Sequence, residues 1–290
     1  MTAIEAGLQD LRSQHPEWEP WLAVVQEALR ETTNPEWDRF VPARTETQQS
    51  KVPLLAGISL TLDKRSVRRL LEQLFRTAHR SGTPKMATLK PALNGDLDTL
   101  KVFEASLCQD SDRLKKMAAG LDADAEAFQA VTDLLPLPLL HACNRVWASS
   151  KSVNWMEGYC AVCGAWPAFA EVRGIERSRY LRCARCGGEW QAHCLFCPYC
   201  STTDHNELVS LVPEKIGANA VINACKHCLG YIKTFTILQA TPPDRVFIDD
   251  LASAYLDVAA LEQEYRRPEG TGYSLNLTLM ENGAESRLIS

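Results

Sequence analysis

The sequence predicts a multidomain α+β protein, with an all-α N-terminal domain, two small cysteine-rich β modules and a C-terminal helix. Three observations predict it. Apolar residues in the first half recur at helical spacing, and from about Asn154 to Lys233 the chain turns to cysteine, glycine and short β-prone runs. One more amphipathic segment follows the Pro242-Pro243 break. The boundaries read from these changes are 1–154, 155–192, 193–240 and 241–290.

Composition sets the frame. With 290 residues, 46% apolar and 23% charged, the chain is long enough for two domains and too apolar for disorder. A net charge of −5 gives no overall positive field of the kind nucleic-acid binders use. No apolar run reaches the roughly 18 to 20 residues that cross a bilayer. Met1 to Asp10 has neither the basic flank nor the apolar stretch of a secretory signal, so a cytoplasmic location without membrane insertion is expected. Thiols stay reduced there, and the eleven cysteines need another explanation than disulfides.

In the first half, Glu17 to Arg30 aligns Trp18, Trp21, Leu22, Val25 and Leu29 on one helical face. Leu62 to His79 repeats the pattern with Val67, Leu70, Leu71, Leu74 and Phe75, with Asp63 placed to cap it. Further helices are expected at Leu97–Cys108, Asp122–Leu135 and Leu139–Ser149, with Pro136 and Pro138 breaking the chain between the last two. Residues 41 to 57 read as an irregular connection. In the second half the strand candidates are Phe169–Val172, Tyr180–Arg182, Leu208–Val212, Ala220–Asn223 and Tyr231–Ile237. A helix from about Asp249 to Tyr265 should bury Leu251, Tyr255, Val258 and Leu261, with Asp249 and Asp250 at its positive N-terminal end.

Four Cys-x-x-Cys pairs carry the chemistry: Cys160/Cys163, Cys183/Cys186, Cys197/Cys200 and Cys225/Cys228. In order they give C-x2-C-x19-C-x2-C and C-x2-C-x24-C-x2-C, the two-knuckle plan of rubredoxin-like and zinc-ribbon-like modules. Two cysteines separated by two residues on a tight turn aim both sulfurs inward, and two such turns supply a tetrahedron. Glycine after the second cysteine, as in Cys163-Gly164 and Cys186-Gly187, admits positive φ. Two ions per chain follow. Tetrahedral sulfur suits mononuclear iron and zinc alike; iron is the ion adopted here, with zinc as the alternative.

Four thiolates around a divalent ion leave a net charge of −2. Arg182, Arg185 and Lys226 lie beside the pairs and can offset it, though solvated surface charge is the plainer reading of each. Cys194 is a ninth cysteine of the group, read as a small residue beside the site or a spare ligand. His193 and His227 read as surface residues, Cys108 and Cys143 as core packing. Cys197-Pro198-Tyr199-Cys200 has the look of a thiol-redox site, but that chemistry needs the pair to open a helix, and Ser201 to Asn206 is turn-like.

With these residues in hand, the chain resembles the formate dehydrogenase accessory protein family, FdhE. The four pairs carry the likeness, together with Cys183-Ala184-Arg185-Cys186-Gly187-Gly188-Glu189-Trp190, which is similar to the family's C-x2-C-x2-E-W stretch. Cys225-Lys226-His227-Cys228-Leu229-Gly230-Tyr231-Ile232-Lys233 resembles its C-x2-C-x2-Y-x-K segment, and Asp249-Asp250-Leu251-Ala252 to Leu256-Asp257 its D-D-L-A-x3-L-D signature. In the first half only Pro53-Leu54-Leu55 matches, Cys194 stands where the family has arginine, and Gly272 to Leu277 matches loosely. The resemblance implies a helical domain followed by two rubredoxin-like metal modules. It also implies a cytoplasmic maturation factor whose partner is the catalytic subunit of a respiratory formate dehydrogenase.

Two other functions fit the cysteines: a zinc-ribbon nucleic-acid binder using Arg173, Arg177, Arg179, Arg182 and Arg185 with Tyr180 and Trp190, and a rubredoxin-like electron carrier. Neither is preferred, and self-association is left open. No P-loop, placed G-x-G-x-x-G, G-x-S-x-G or H-E-x-x-H is present, and the chain is read as a binding protein without a catalytic residue.

Overall fold

The computed structural model describes residues 2–43, 51–81, 83–89, 97–150, 154–212 and 219–282. The chain forms two compact units, the first from residues 1–43, 56–146 and 275–290, the second from 44–55 and 147–274. Of the irregular connection expected at 41 to 57, residues 44–50 lie outside the described residues.

The first unit is mainly helical. Its helices are α1 (Ala3–Gln14), α2 (Glu19–Thr32), α3 (Lys64–Ser81), the single turn α4 (Pro84–Ala87), α5 (Thr99–Leu107), α6 (Ser111–Gly120), α7 (Ala125–Thr132) and α8 (Leu137–Val146). The Asp63 carboxylate accepts from the backbone N–H groups of Arg65 and Ser66, so the expected cap starts α3. Asp98, Asp110 and Asp124 do the same for α5, α6 and α7. α2 packs on α3 and α8, burying Leu22, Val25 and Leu29, while Phe75 of α3 meets Phe128 of α7 with ring centroids 5.5 Å apart. The chain breaks between α7 and α8 as expected, with Pro136 in the break at 133–136, but α8 begins two residues early, at Leu137, and takes Pro138 into its first turn. Proline is tolerated in a first turn, where its missing N–H has no intrahelical partner. One short strand, β1 (Ser59–Leu62), completes this part.

The second unit is built on one six-stranded sheet of β2 (Phe169–Arg173), β3 (Ser178–Arg182), β4 (Glu189–Ala192), β5 (Leu208–Leu211), β6 (Ala220–Cys225) and β7 (Tyr231–Ile237), in the order β4-β3-β2-β7-β6-β5. Every pairing is antiparallel except β2 with β7, which run parallel with Phe169 opposite Lys233. The sheet is two copies of one arrangement. The stretch 155–192 gives knuckle, β2, β3, knuckle, β4; the stretch 193–240 gives knuckle, β5, β6, knuckle, β7. Across the β2–β7 seam Phe169 and Phe235 meet edge to face at 5.2 Å.

The C-terminal helix differs from expectation. It is two helices, α9 (Val246–Ala252) and α10 (Ala254–Glu262). Between them the Ser253 hydroxyl donates back to the carbonyls of Asp249 and Asp250, drawing those acceptors away from the helical ladder. The buried residues are Val246, Ile248, Leu256 and Ala260; Tyr255, Val258 and Leu261 are 58%, 56% and 56% exposed. Apolar residues surround α10, so spacing alone could not choose the face. Ala220, Ile222, Ala224 and Tyr231 of the sheet choose it by packing on Leu256 and Ala260. The chain then returns to the first unit, where β8 (Thr278–Glu281) pairs in parallel with β1, Ser59 opposite Thr278. Among the described residues no helix is long and apolar enough to cross a membrane.

One backbone crossing holds the sheet unit's loops in place. A Cβ on Gly158 would lie 1.7 Å from the Pro198 carbonyl oxygen, whereas one on Gly120, at the end of α6, meets nothing within 4 Å. Gly158→Ala should therefore cost about 2 kcal/mol or more of stability and lower the thermal midpoint markedly, because backbone must move. Gly120→Ala should leave the midpoint unchanged or raise it slightly.

Candidate metal centres

All four cysteine pairs lie on turns of one shape. In each, the N–H of the first cysteine donates to the carbonyl two residues beyond the second, at 2.8 to 3.0 Å: Cys160 to Ala165, Cys183 to Gly188, Cys197 to Thr202 and Cys225 to Gly230. The N–H groups of Gly164, Gly187 and Ser201 donate back to Cys160, Cys183 and Cys197. The residue after each second cysteine has positive φ: Gly164 and Gly187 at 70°, Ser201 at 62° and Leu229 at 57°. Glycine adopts this without strain, while Ser201 and Leu229 carry a cost of about 1 kcal/mol that the turn must outweigh.

The turns bring the eight sulfurs into two groups. Cys160, Cys163, Cys183 and Cys186 form the first, Cys197, Cys200, Cys225 and Cys228 the second, with the sulfurs of each group within 4.8 Å of one another. Across the turns Cys160 and Cys186 are 3.4 Å apart, Cys163 and Cys183 3.6 Å, Cys197 and Cys228 3.6 Å, and Cys200 and Cys225 3.7 Å. Four sulfurs at about 2.3 Å from one tetrahedral ion stand about 3.8 Å from each other, so both groups fit a single ion with little adjustment. Backbone N–H groups of Val162 and Gly188 point at the sulfurs of Cys160 and Cys186, each at 3.4 Å.

Charge is shared unequally within each group. Hydrogen bonds with Cys160, Cys163 and Cys186 hold the Cys183 thiol well below its ordinary pKa, and the same sharing pushes Cys163 and Cys186 well above it. In the second group burial pushes Cys197 up and Cys228 to about 11. Burial acts on Cys200 too, but the backbone hydrogen bond from Thr202 and the neighbouring thiols outweigh it, and its pKa is lowered. Binding of a cation by such a group releases the protons the other thiols carry.

The two groups differ in access. All four cysteines of the first are buried, whereas in the second Cys200 is half-buried and Cys228 exposed. Cys194 is exposed, its thiol directed at the Arg177 carbonyl at 3.7 Å, and it is outside both groups of four. Cys143 is buried in α8 and Cys108 is half-buried. Cys197/Cys200 is followed by turns and then β5, so this pair opens no helix. His193 and His227 are exposed.

Buried ion pairs brace the turns, and these were only partly visible in the sequence. Arg182, expected near the sulfurs as an offsetting charge, is 1% exposed and donates to the fully buried Glu171 at 2.8 and 3.0 Å; its second amino group approaches the Gly187 carbonyl at 3.4 Å. Arg173 joins the same Glu171 and also Glu189, which closes a balanced set of two cations and two anions. Arg185 is half-buried, and Lys226 is exposed with its ammonium on the Asn206 carbonyl at 3.3 Å.

A second set links two of the quoted segments. Lys233, wholly buried on β7, lies 2.6 Å from Asp250 and 2.9 Å from Asp257; Arg267 bonds the same two carboxylates at 2.7 and 2.9 Å. The Tyr231 hydroxyl donates to Asp257 at 2.6 Å. Asp250 thus clamps α9 to the sheet and does not cap a helix, since α9 begins at Val246. Asp249 pairs with Arg245 at 2.8 Å. Burial opposes ionisation of Asp257, but Arg267, Tyr231 and Lys233 outweigh it and its pKa is lowered.

As a class, the chain has a helical unit and a sheet unit carrying two four-cysteine groups able to hold one metal ion each. No protein-family model matches it. It is 29% identical over 192 residues to the FdhE protein of Escherichia coli O127:H6, covering 62% of this chain and 59% of that protein. With the FdhE homolog of Pasteurella multocida the identity is 32% over 194 residues, 63% of this chain and 60% of the relative. The chain thus spans about three fifths of the length of these curated relatives. The crystal structure of the FdhE protein from Pseudomonas aeruginosa superposes with a TM-score of 0.57 at 20% identity, over 94% of each chain, which shows the same fold. The resemblance to the FdhE family drawn from Cys183–Trp190, Cys225–Lys233 and Asp249–Asp257 is thereby borne out.

Two outcomes follow from burial and charge. Brief alkylation of the metal-free protein, read by mass spectrometry, should label the exposed Cys194 first and leave the buried Cys160, Cys163, Cys183, Cys186 and Cys143 to last. Lys233→Met should cost about 3 kcal/mol in denaturant unfolding, because it leaves two carboxylates facing Arg267 alone. Stability owed to Asp257 is present above the unfolded carboxylate pKa of about 4 and lost as pH falls through its lower folded value.

Proposed function

We propose that the protein is a non-catalytic, metal-binding accessory factor that binds the catalytic subunit of a formate dehydrogenase and is needed for its activity. Convergence of eight cysteines into two closed groups of four is the observation that carries the metal-binding part; the likeness to FdhE proteins supports the client. Each half of the sheet unit holds one ion on a rubredoxin-like pair of knuckles, with Cys160, Cys163, Cys183 and Cys186 as ligands of one and Cys197, Cys200, Cys225 and Cys228 of the other. Four thiolates complete a tetrahedron and leave no open position for a substrate, so the ions serve the fold or carry charge rather than act as Lewis acids. Iron is the ion of this reading, with zinc as the alternative.

The nucleic-acid reading finds little support among the described residues. Arg173 and Arg182 are engaged with carboxylates, Arg179 is buried, and Trp190 is buried with its indole N–H on the Glu157 carbonyl at 2.8 Å. Of the basic stretch, Arg177 is exposed and Arg185 half-buried.

Anaerobic purification followed by elemental analysis should return two metal ions per chain, and exhaustive chelation should lower the thermal midpoint. A chain that carries no ion and melts unchanged after chelation would contradict the reading. Affinity capture from cells expressing a formate dehydrogenase should recover its catalytic subunit, and Cys163→Ser with Cys197→Ser should abolish the recovery. Failure of the intact chain to capture any formate dehydrogenase subunit would count against the client.

A further inference from the structure

Of the basic side chains buried in the sheet unit, Arg182 is balanced by Glu171 and Lys233 by Asp250 and Asp257. Arg179 is different. It is 4% exposed, and among the described residues no carboxylate pairs with it. One amino group of its guanidinium donates to the carbonyls of His193 and Phe196 at 3.1 and 2.8 Å and approaches that of Cys194 at 3.5 Å, the loop that leads into Cys197. Its Nε, also buried, has no hydrogen-bond partner among the described residues. Carbonyl dipoles can orient a guanidinium, but they do not cancel a full charge, and an uncompensated buried charge is costly.

The missing counter-charge lies beside it. A cavity of about 90 Å³ is lined by Arg179 together with Cys194, Cys197, Cys225, Asn223 and Ile232, so two cysteines of the second group line the same cavity as Arg179. A four-thiolate group around a divalent ion carries −2, and in a poorly hydrated interior a single positive charge within several ångströms lowers its energy substantially. We infer that Arg179 is the internal counter-charge of the second four-cysteine centre, strengthening its hold on a metal ion and setting the ion's reduction potential. Near the first centre the buried Arg182 and the Arg173 beside it are paired with Glu171 and Glu189, and Arg185 is half-buried, so among the described residues no fully buried arginine without a carboxylate partner stands by it. Burial holds the Arg179 pKa below its ordinary value, and the thiols of Cys194 and Cys197 with the Tyr199 hydroxyl offset that only in part.

The inference rests on the reading that the second group holds an ion, and the first centre serves as the internal reference. The test loads the full chain with Co²⁺, follows the sulfur-to-cobalt charge-transfer absorbance during competition with a chelator, and assigns each loss to a centre by cysteine alkylation. Arg179→Met and Arg179→Gln should weaken the second centre by at least about tenfold and leave the first unchanged. Glutamine can still donate to the loop carbonyls, whereas Arg179→Lys keeps the charge without the planar fork, so lysine should stay within about threefold of the wild type. A second centre equally tight in all three variants, or lysine failing as badly as glutamine, would overturn the assignment. Should none of the variants fold, the iron-loaded wild type decides: its second centre must titrate at a more positive potential than the first, and a shared potential refutes the idea. If the wild type takes up no cobalt at either group, it is the metal-binding reading that fails. If both load and the second ignores residue 179, only the role of Arg179 fails.

Discussion

Four turns of the same shape, each closing on its own backbone and aiming two sulfurs inward, set the conditions that the rest of the sheet unit has to meet. A turn of this kind needs positive φ after its second cysteine and a carbonyl two residues further on that receives the first cysteine's N–H. Both demands are local, so each turn can form without help from distant chain. What is not local is the meeting of two turns, Cys160/Cys163 with Cys183/Cys186 and Cys197/Cys200 with Cys225/Cys228. The antiparallel strands settle that problem. β2 and β3 return the chain to within reach of its first turn, and β5 and β6 do the same in the second half. The strands are short because they need only span the distance between paired turns.

The same arrangement explains the buried charges. Small sheets without a thick apolar core gain little from hydrophobic burial alone. Here the strands on either side of the β2–β7 seam carry ionic braces, Glu171 with Arg182 and Arg173 on one side and Lys233 with Asp250, Asp257 and Arg267 on the other. Such sets add modest net stability over apolar packing but penalise any other register severely, since a one-residue slip would strand a buried charge. In this sheet they fix which strand lies beside which turn.

The four cysteine turns are legible in the sequence because Cys-x-x-Cys spacing is a local property of the chain; a following glycine marks only two of them, and the positive φ of Ser201 and Leu229 carries no such mark. Tyr231–Ile237 was equally legible as an unbroken β-prone run, and the structure forms the strand over those residues. Other features depend on distant partners. β4 is only Glu189–Ala192, and its strand character comes from pairing with β3; β1 and β8 are far apart in sequence and stabilise each other. The face of α10 is not legible from spacing, because Leu256 and Ala260 are selected by the sheet they pack on. α1 and α6, absent from the sequence expectation, bury only four and two residues respectively. Arg179 looked like one more member of a basic stretch, and nothing local distinguishes it from Arg177, which is exposed. The strand boundary separates them: Arg177 lies in the turn before β3, at φ 54°, whereas Arg179 lies within β3 on the same face as the buried Leu181.

The duplicated halves are alike in chain path and unlike in surroundings, and the difference bears on what each can do. The first group is closed on all sides, with two glycines at its turns and a neutral ionic brace nearby. Nothing about it favours exchange or charge change. In the second, Ser201 and Leu229 take the strained position, Cys228 reaches solvent, and Arg179 stands on the inner side with its charge unpaired by any carboxylate among the described residues. The physical cost falls in this second half, at two non-glycine turns and one buried cation.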